Sequence, residues 1–320
     1  MKKRWTWLAA ALCAGLILTA GTAMAEEKAN EDITIGYICA NVTNQGWLIM
    51  NTTIQEKAKE LGVDLKYMTA QTGDTSSWLS CFEDLVNMDV DAIIFGAADS
   101  TLVSTIEKAV ADGITCIEMD SPSGAEGTSV ICVENYSAAA QGANWVGEKL
   151  GGKGKVILIN GDATYTSGTE RRDGYYETLQ ENYPDIEILE SWCDGWTSEN
   201  AMNNCEDLLT AANDEVDAIC CAWDGATTVI APLLESKGLT DKIMLIGFDG
   251  AGDALSLMRE GKVAMDVAQP FFGLATNAME VAVKAAKGEK TDVMVLDCDI
   301  VTPDMVDEYI ETAGLADYVK

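Results

Sequence analysis

Two stretches of this chain open with the same four residues and close alike: VDAIIFGAAD at 90–99 and VDAICCAWDG at 216–225. Each is an apolar run of strand length that stops near an acid. ITCIEMD, ending at Asp120, and IMLIGFD, ending at Asp249, do the same. A continuous apolar run is buried on both faces, which is the environment of a parallel strand covered by helices on both sides. The recurrence restricts the chain to two similar α/β halves, each aiming acids at the carboxyl edge of a sheet. Ligands of such sheets sit at that edge, between strand ends and helix N-termini. Asp249, followed by Gly250, is the first candidate functional residue.

The intervening sequence alternates in period. Residues 33–40 read as a strand, after which Trp47, Met50, Ile54, Ala58 and Leu61 recur at helical spacing and Gly62 supplies a stop. Strands are expected over 63–69, 91–96, 114–120 and 129–133, with helices over 77–87 and 102–110. A helix over 136–150 leads through GGKGK, at 151–155, into a second set. There, strands over 156–160, 186–192, 217–223 and 243–249 are separated by helices over 170–182 and 199–212 and by one through Leu234 that Pro232 is expected to kink. Strands over 263–269 and 294–302 close the order, with a helix over 273–287 between them. Such alternation predicts an α/β fold of doubly wound parallel sheets.

Residues 1–25 read as a secretory signal peptide: Lys2, Lys3 and Arg4, an apolar run from Trp5 to Ala20, and the small-residue exit Ala23-Met24-Ala25. The run is short of the ~20 residues that span a bilayer, and Leu12 before Cys13 does not fit a lipid-anchor site. The chain carries 21 basic and 52 acidic residues, a net charge of −31, more negative by three once the leader is removed. So acidic a surface repels phosphate backbones and anionic lipids, which excludes nucleic acid as an expected partner.

Nine cysteines follow the leader, mostly inside apolar runs and without a CxxC pair, and the chain has no histidine. Metal sites and redox centres find no support in that pattern, and no cofactor is implied. The thiols read as small buried hydrophobes; Cys193 with Cys205 is the pair most open to bridging. No GxSxG, Walker loop or dinucleotide GxGxxG occurs, and histidine-based triads are excluded, so no catalytic residue is assigned. The sequons at Asn41, Asn51 and Asn135 carry no weight without a known host.

Indoles sit where strands should end: Trp47, Trp196 and Trp223. A flat apolar face with a polar edge suits a sugar ring, and each indole buries roughly 150–250 Å². Core packing is the competing reading, most of all for Trp47, which also begins a helical stripe. Asp120, Asp224 and Asp249 lie at the same edges, with Arg171 or Arg172 at the start of a helix. Carboxylates accept hydroxyl hydrogen bonds and a guanidinium donates in a planar fork, so together they can satisfy a polyol. Helix capping is the alternative role for Asp224 and Asp249.

Taken in order, IGYICANVTNQGW, VDAIIFGAADS, IEMD, SGTERRDGYYETL, VDAICCAWDGA, LIGFDG and VAQ resemble the periplasmic sugar-binding proteins of the ribose, galactose and arabinose type, which feed ABC transporters. The resemblance implies two Rossmann-like lobes joined by three hinge crossings, near Glu134, Gln269 and Cys298. Lobe one would comprise 32–134 with 270–297, and lobe two 135–269 with 298–320. It implies a monomer that closes on one sugar without chemistry and delivers it to a membrane permease. Asn44, Trp47, Asp120, Arg171, Trp196, Asp249 and Gln269 match ligand-contacting positions. The chain departs from the pattern in three places: Gly46 and Trp47 replace an aromatic pair, Ser121 replaces an arginine, and Trp223 replaces an asparagine. A sensing partner of a chemoreceptor or kinase would look the same in sequence. The sugar-responsive repressors share the fold but need a DNA-binding N-terminus, in place of which stand a leader and strong negative charge.

Overall fold

A computed structural model describes residues 28–39, 44–71, 74–96, 98–291 and 293–320. The expected signal peptide and the sequon at Asn41 lie outside the described residues. The first set of elements is β1 (Thr34–Cys39), α1 (Gln45–Leu61), β2 (Asp64–Thr69), α2 (Thr75–Asn87), β3 (Ala92–Gly96), α3 (Val103–Ala111), β4 (Cys116–Asp120) and β5 (Ser129–Val133). After α4 (Asn135–Lys149) come β6 (Lys153–Asn160), α5 (Thr166–Asn182), β7 (Asp185–Trp192), α6 (Ser198–Ala211), β8 (Ala218–Cys221), α7 (Asp224–Lys237), β9 (Met244–Asp249), α8 (Gly252–Arg259) and β10 (Met265–Ala268). The chain ends with α9 (Phe271–Ala286), β11 (Met294–Leu296), β12 (Asp299–Val301) and α10 (Val306–Thr312).

The strands form two six-stranded sheets, ordered β11-β5-β4-β3-β1-β2 and β12-β10-β9-β8-β6-β7. Apart from the antiparallel β10–β12 pair, every pairing is parallel. The two orders superimpose element for element, as the duplicated VDAI runs predict: Ala92 and Ala218 each open a central strand that is buried throughout. The chain passes between the sheets after β5, after β10 and between β11 and β12.

Helix ends follow local chemistry. Asn44 accepts from Trp47 N at 3.1 Å and Gly62 ends α1 in the left-handed conformation. Asp74 accepts from the amides of Ser76 and Ser77, starting α2 two residues before the expected Ser77. The helix expected from Glu170 starts at Thr166, because the polar TSGT run carries no apolar period to announce it. α7 is continuous through Pro232, so the expected kink does not break it. Two short helices, α8 and α10, go beyond the sequence reading; glycines and acids at their starts hide the period. The expected strand over 294–302 divides at Asp297-Cys298 into β11 and β12, which pair with different sheets.

The nine described cysteines form no disulfide with one another, Cys193 and Cys205 included, and seven are buried. Burial pushes the thiols of Cys193 and Cys205 up to about 11 and about 12, as for inert core groups. Asn51 and Asn135 are also buried, so neither folded sequon is open to a glycan. Among the described residues no helix is long and apolar enough to cross a membrane. A reductant such as dithiothreitol should leave the melting temperature unchanged; a fall of several degrees would reveal a bridge.

Candidate functional site

A cavity of about 350 Å³ lies between the carboxyl edges of the two sheets. All nine residues singled out in the sequence line it: Asn44, Trp47, Asp120, Arg171, Trp196, Trp223, Asp224, Asp249 and Gln269. The first sheet's side supplies Asn44 and Trp47 from the start of α1 and Asp120 from the end of β4. The second supplies Arg171 from α5, Trp196 after β7, Trp223 and Asp224 at the end of β8, Asp249 from β9 and Gln269 after β10.

The floor is organised by one buried guanidinium. Arg171 donates from Nε to Asn135 Oδ1 at 2.8 Å, and from Nη1 to the Ala222 carbonyl at 2.8 Å and to Asp249 Oδ1 at 3.1 Å. Its guanidinium carbon stands 3.9 Å from the Phe248 ring centroid. Gln269 Nε2 donates to the same Asp249 oxygen at 2.8 Å. Among the described residues Asp249 Oδ2 has one long contact, 3.4 Å from Asp224 N, and so retains acceptor capacity toward the cavity. Burial raises the Asp249 carboxyl despite the opposing pull of Arg171.

Helix capping, the alternative role for two of these acids, is not what the structure shows. Neither acid caps the helix that follows it, and the N-cap residues of α7 and α8, Trp223 and Ala251, make no side-chain cap bond; Asp224 Oδ2 instead accepts from Ala251 N at 2.7 Å, across to the β9 exit. Trp47 does both expected jobs, standing in the first turn of α1 and facing the cavity.

Trp196 and Trp223 meet edge to face with ring centroids 5.3 Å apart, and Tyr165 meets Trp196 at 6.3 Å. Gly161 makes this possible, since a Cβ there would stand 2.1 Å from the Trp196 ring. Asp120, Trp196 and Asp249 all hold positive φ, at 71°, 54° and 126°. Such backbone costs of order 1–3 kcal/mol per residue and persists where surrounding contacts over-determine it.

Asp120 Oδ1 and Gln269 Oε1 are buried without a hydrogen-bond partner among the described residues. Both are acceptors on the cavity wall, a demand that ligand hydroxyls meet. Of the described lining residues only Arg171 is a cation, against Asp74, Asp99, Asp120, Asp224, Asp249 and Asp253. That balance disfavours anionic ligands. Sequence reasoning missed Trp78, Asp99, Tyr165 and Phe271, which also line the cavity. Asp99 carried a usable signal, an acid just past β3 in VDAIIFGAAD; the other three look like ordinary core aromatics. Asp99 is also committed to structure: burial pushes its carboxyl up, but hydrogen bonds from Thr101 and Thr75 outweigh this and lower it.

The rims touch across the cleft. Ser121 and Ser167 hydroxyls are 2.9 Å apart, Ser100 N donates to the Thr164 carbonyl at 3.2 Å, and Gln45 bonds Asp253 N and the Tyr318 carbonyl, each at 3.0 Å. The cleft is therefore in a closed arrangement.

Residues 35–290 match the family model described as the periplasmic binding protein domain. The chain belongs to that family. Its members are binding proteins that work outside the cytoplasm. The chain is 28% identical over 287 residues to the D-allose-binding periplasmic protein of Escherichia coli K12, covering 86% of this chain and 89% of that protein. An ABC transporter periplasmic solute binding protein from Actinobacillus succinogenes 130z, solved with bound D-allose, is 25% identical with a TM-score of 0.80, covering 87% of this chain and 100% of that one. A solute binding protein from Bacillus halodurans C-125 with bound myo-inositol shares the fold, with a TM-score of 0.82 at 22% identity over 90% of this chain and 100% of that one.

Burial raises Asp120 to about 6 and Asp266, on β10, to about 7, against ~3.9 for an unfolded aspartate. The folded state thus holds protons that the unfolded chain has released. Their contribution to stability is full below about pH 4 and is lost as pH rises through 6 and 7. Urea unfolding should give stability on the order of 2–4 kcal/mol lower at pH 8 than at pH 5; stability rising over that range contradicts the assignment.

Proposed function

We propose that this is an exported solute-binding protein that captures one monosaccharide or similar polyol in the interlobe cleft and hands it to an ABC importer. The observation that carries the reading is the pairing, in one cavity, of buried unpartnered acceptors with indole faces. Acceptors such as Asp120 Oδ1 call for hydroxyl donors, and Trp196 and Trp223 offer apolar faces for a ring. The relatives bearing the names of allose, ribose, xylose and apiose support the same substrate class. A cavity of about 350 Å³ is near the lower end of small-molecule sites, about 300–1,000 Å³, which suits one sugar ring.

The nine cavity residues named from the sequence are the proposed ligand contacts. In this reading residues 1–25 direct export and the mature chain works as a monomer. The lobes are 32–134 with 270–297 and 135–269 with 298–320, and the passages between the two sheets serve as the hinge. A sugar that touches both walls makes contacts in the closed form that the open form lacks, so it shifts the population toward closure.

A thermal-shift panel of pentoses, hexoses and inositols should yield at least one neutral compound that raises the melting temperature, with tryptophan fluorescence changing in parallel. Silence from every sugar, with amino acids or nucleosides shifting the melt, would overturn the substrate class. With the sugar so found at saturation, small-angle scattering should give a smaller radius of gyration than the ligand-free protein. An unchanged radius alongside proven binding would argue for a rigid pocket.

A further inference from the structure

Behind the cleft floor lies a carboxyl that takes no part in lining the cavity. Asp266 sits in the middle of β10, fully buried and outside the cavity lining. Its Oδ1 accepts from Gly250 N at 2.9 Å, while Asp224 Oδ2 accepts from Ala251 N at 2.7 Å. The two amides that follow Asp249 are therefore each held by a carboxyl from a neighbouring element.

The other oxygens of the two acids, Asp266 Oδ2 and Asp224 Oδ1, are buried and have no hydrogen-bond partner among the other described residues. They converge on one point: a Cβ on Gly247 would stand 2.1 Å from the first and 2.6 Å from the second. Glycine at 247 leaves the space in which they meet. Two ionised carboxylates cannot occupy such a place together, whereas a single proton turns the contact into a charge-assisted hydrogen bond. The titratable groups that bear on the pair from the packed elements are Asp249 of β9, Cys221 of β8, Tyr175 of α5 and Tyr309 of α10. None of these is a cation, and the nearby guanidinium of Arg171 is bonded to Asp249 and to neither acid of the pair, so a proton is what relieves the repulsion.

We propose that Asp224 and Asp266 share one proton and act as a positioning pair, pinning the 249–251 backbone so that Asp249 keeps its positive φ and its carboxylate faces the cleft. The functional consequence rests on Asp249 being a ligand contact; the pair itself does not. Both carboxyls are raised, chiefly by burial, Asp224 further than Asp266. An acid at this strand centre otherwise has no role: it reaches no ligand space, and an apolar residue would fill a β10 core position at lower cost.

The test uses the ligand-free protein, with carboxyl carbon-13 labelling of aspartate and amide hydrogen exchange read by NMR. In the wild type, the Asp224 and Asp266 carboxyl signals should move together, with apparent pKa values well above the ordinary ~3.9. In Asp266→Asn the amide can donate to Asp224 and still accept from Gly250 N. Exchange at Gly250 and Ala251 should stay within about threefold of wild type while the joint titration disappears. In Asp266→Ala exchange at Gly250 should quicken at least tenfold relative to amides of β6 in the same molecule. Should that variant not fold, the wild-type titration and the Asn variant decide alone. Separate titrations near 4, or Gly250 exchange unmoved by the Ala substitution, would overturn the proposal. Neither readout needs a sugar, so its failure is distinguishable from failure of the sugar panel.

Discussion

The buried ion pair between Arg171 and Asp249 is the contact on which the cleft depends. Arg171 is 3% exposed and Asp249 7%, so each charge has lost most of its water and must be compensated by protein. Removing one partner of a buried pair costs about 3–5 kcal/mol, because the other is left uncompensated. Through its remaining donors Arg171 also ties the end of β8, at Ala222, to Asn135, the first residue of α4 after the chain has left the first sheet. One side chain on α5 thus fixes two strand ends and one passage between the sheets. Gln269, at the second passage, joins the same Asp249 oxygen. The geometry of the floor and the path of the chain between the sheets are set by one network.

Strain and charge concentrate at the same edge. Of the six described non-glycine residues with positive φ, Asp120, Trp196 and Asp249 face the cavity. Each lies where a strand gives way to a loop and a polar or aromatic group must turn into the cleft. Acids outnumber the single arginine there, which burial tolerates by raising carboxyl proton affinity at Asp120 and Asp249. The resulting wall combines acid acceptors, a single guanidinium and aromatic faces, a chemistry complementary to neutral hydroxylated rings.

Much of this was readable in the sequence because the informative residues obey local rules. An apolar run that stops at an acid marks a buried strand and its carboxyl edge, and that logic found Asp120, Asp224 and Asp249. Trp47, Trp196 and Trp223 followed from the same edges and Arg171 or Arg172 from a helix start, with the family pattern selecting Arg171; Asn44 and Gln269 came with the family pattern, and all reach one cavity. Phe271, Tyr165 and Trp78 escaped because a core aromatic and a cleft aromatic are identical in one dimension. Asp266 escaped for a different reason. In VAMDVAQ an acid between apolar residues looks like a solvent-facing position of a strand, and only the folded sheet brings Asp224 and Gly247 beside it. The capping roles considered for Asp224 and Asp249 failed similarly: the backbone amide that Asp224 serves at Ala251 is far along the chain, across a neighbouring strand.

The account turns on Asp249 acting as an acceptor for ligand as well as a partner for Arg171, and calorimetric titration of Asp249→Ala and Asp249→Asn with a sugar that binds the wild type tests this directly. Hydrogen bonds to a charged group contribute about 1.5–3 kcal/mol, so the Ala variant should bind roughly ten- to a hundredfold more weakly or worse. The Asn variant, which keeps the shape but offers one acceptor oxygen, should fall between it and the wild type. Near-wild-type affinity in both variants would contradict the account and move the site away from this strand end.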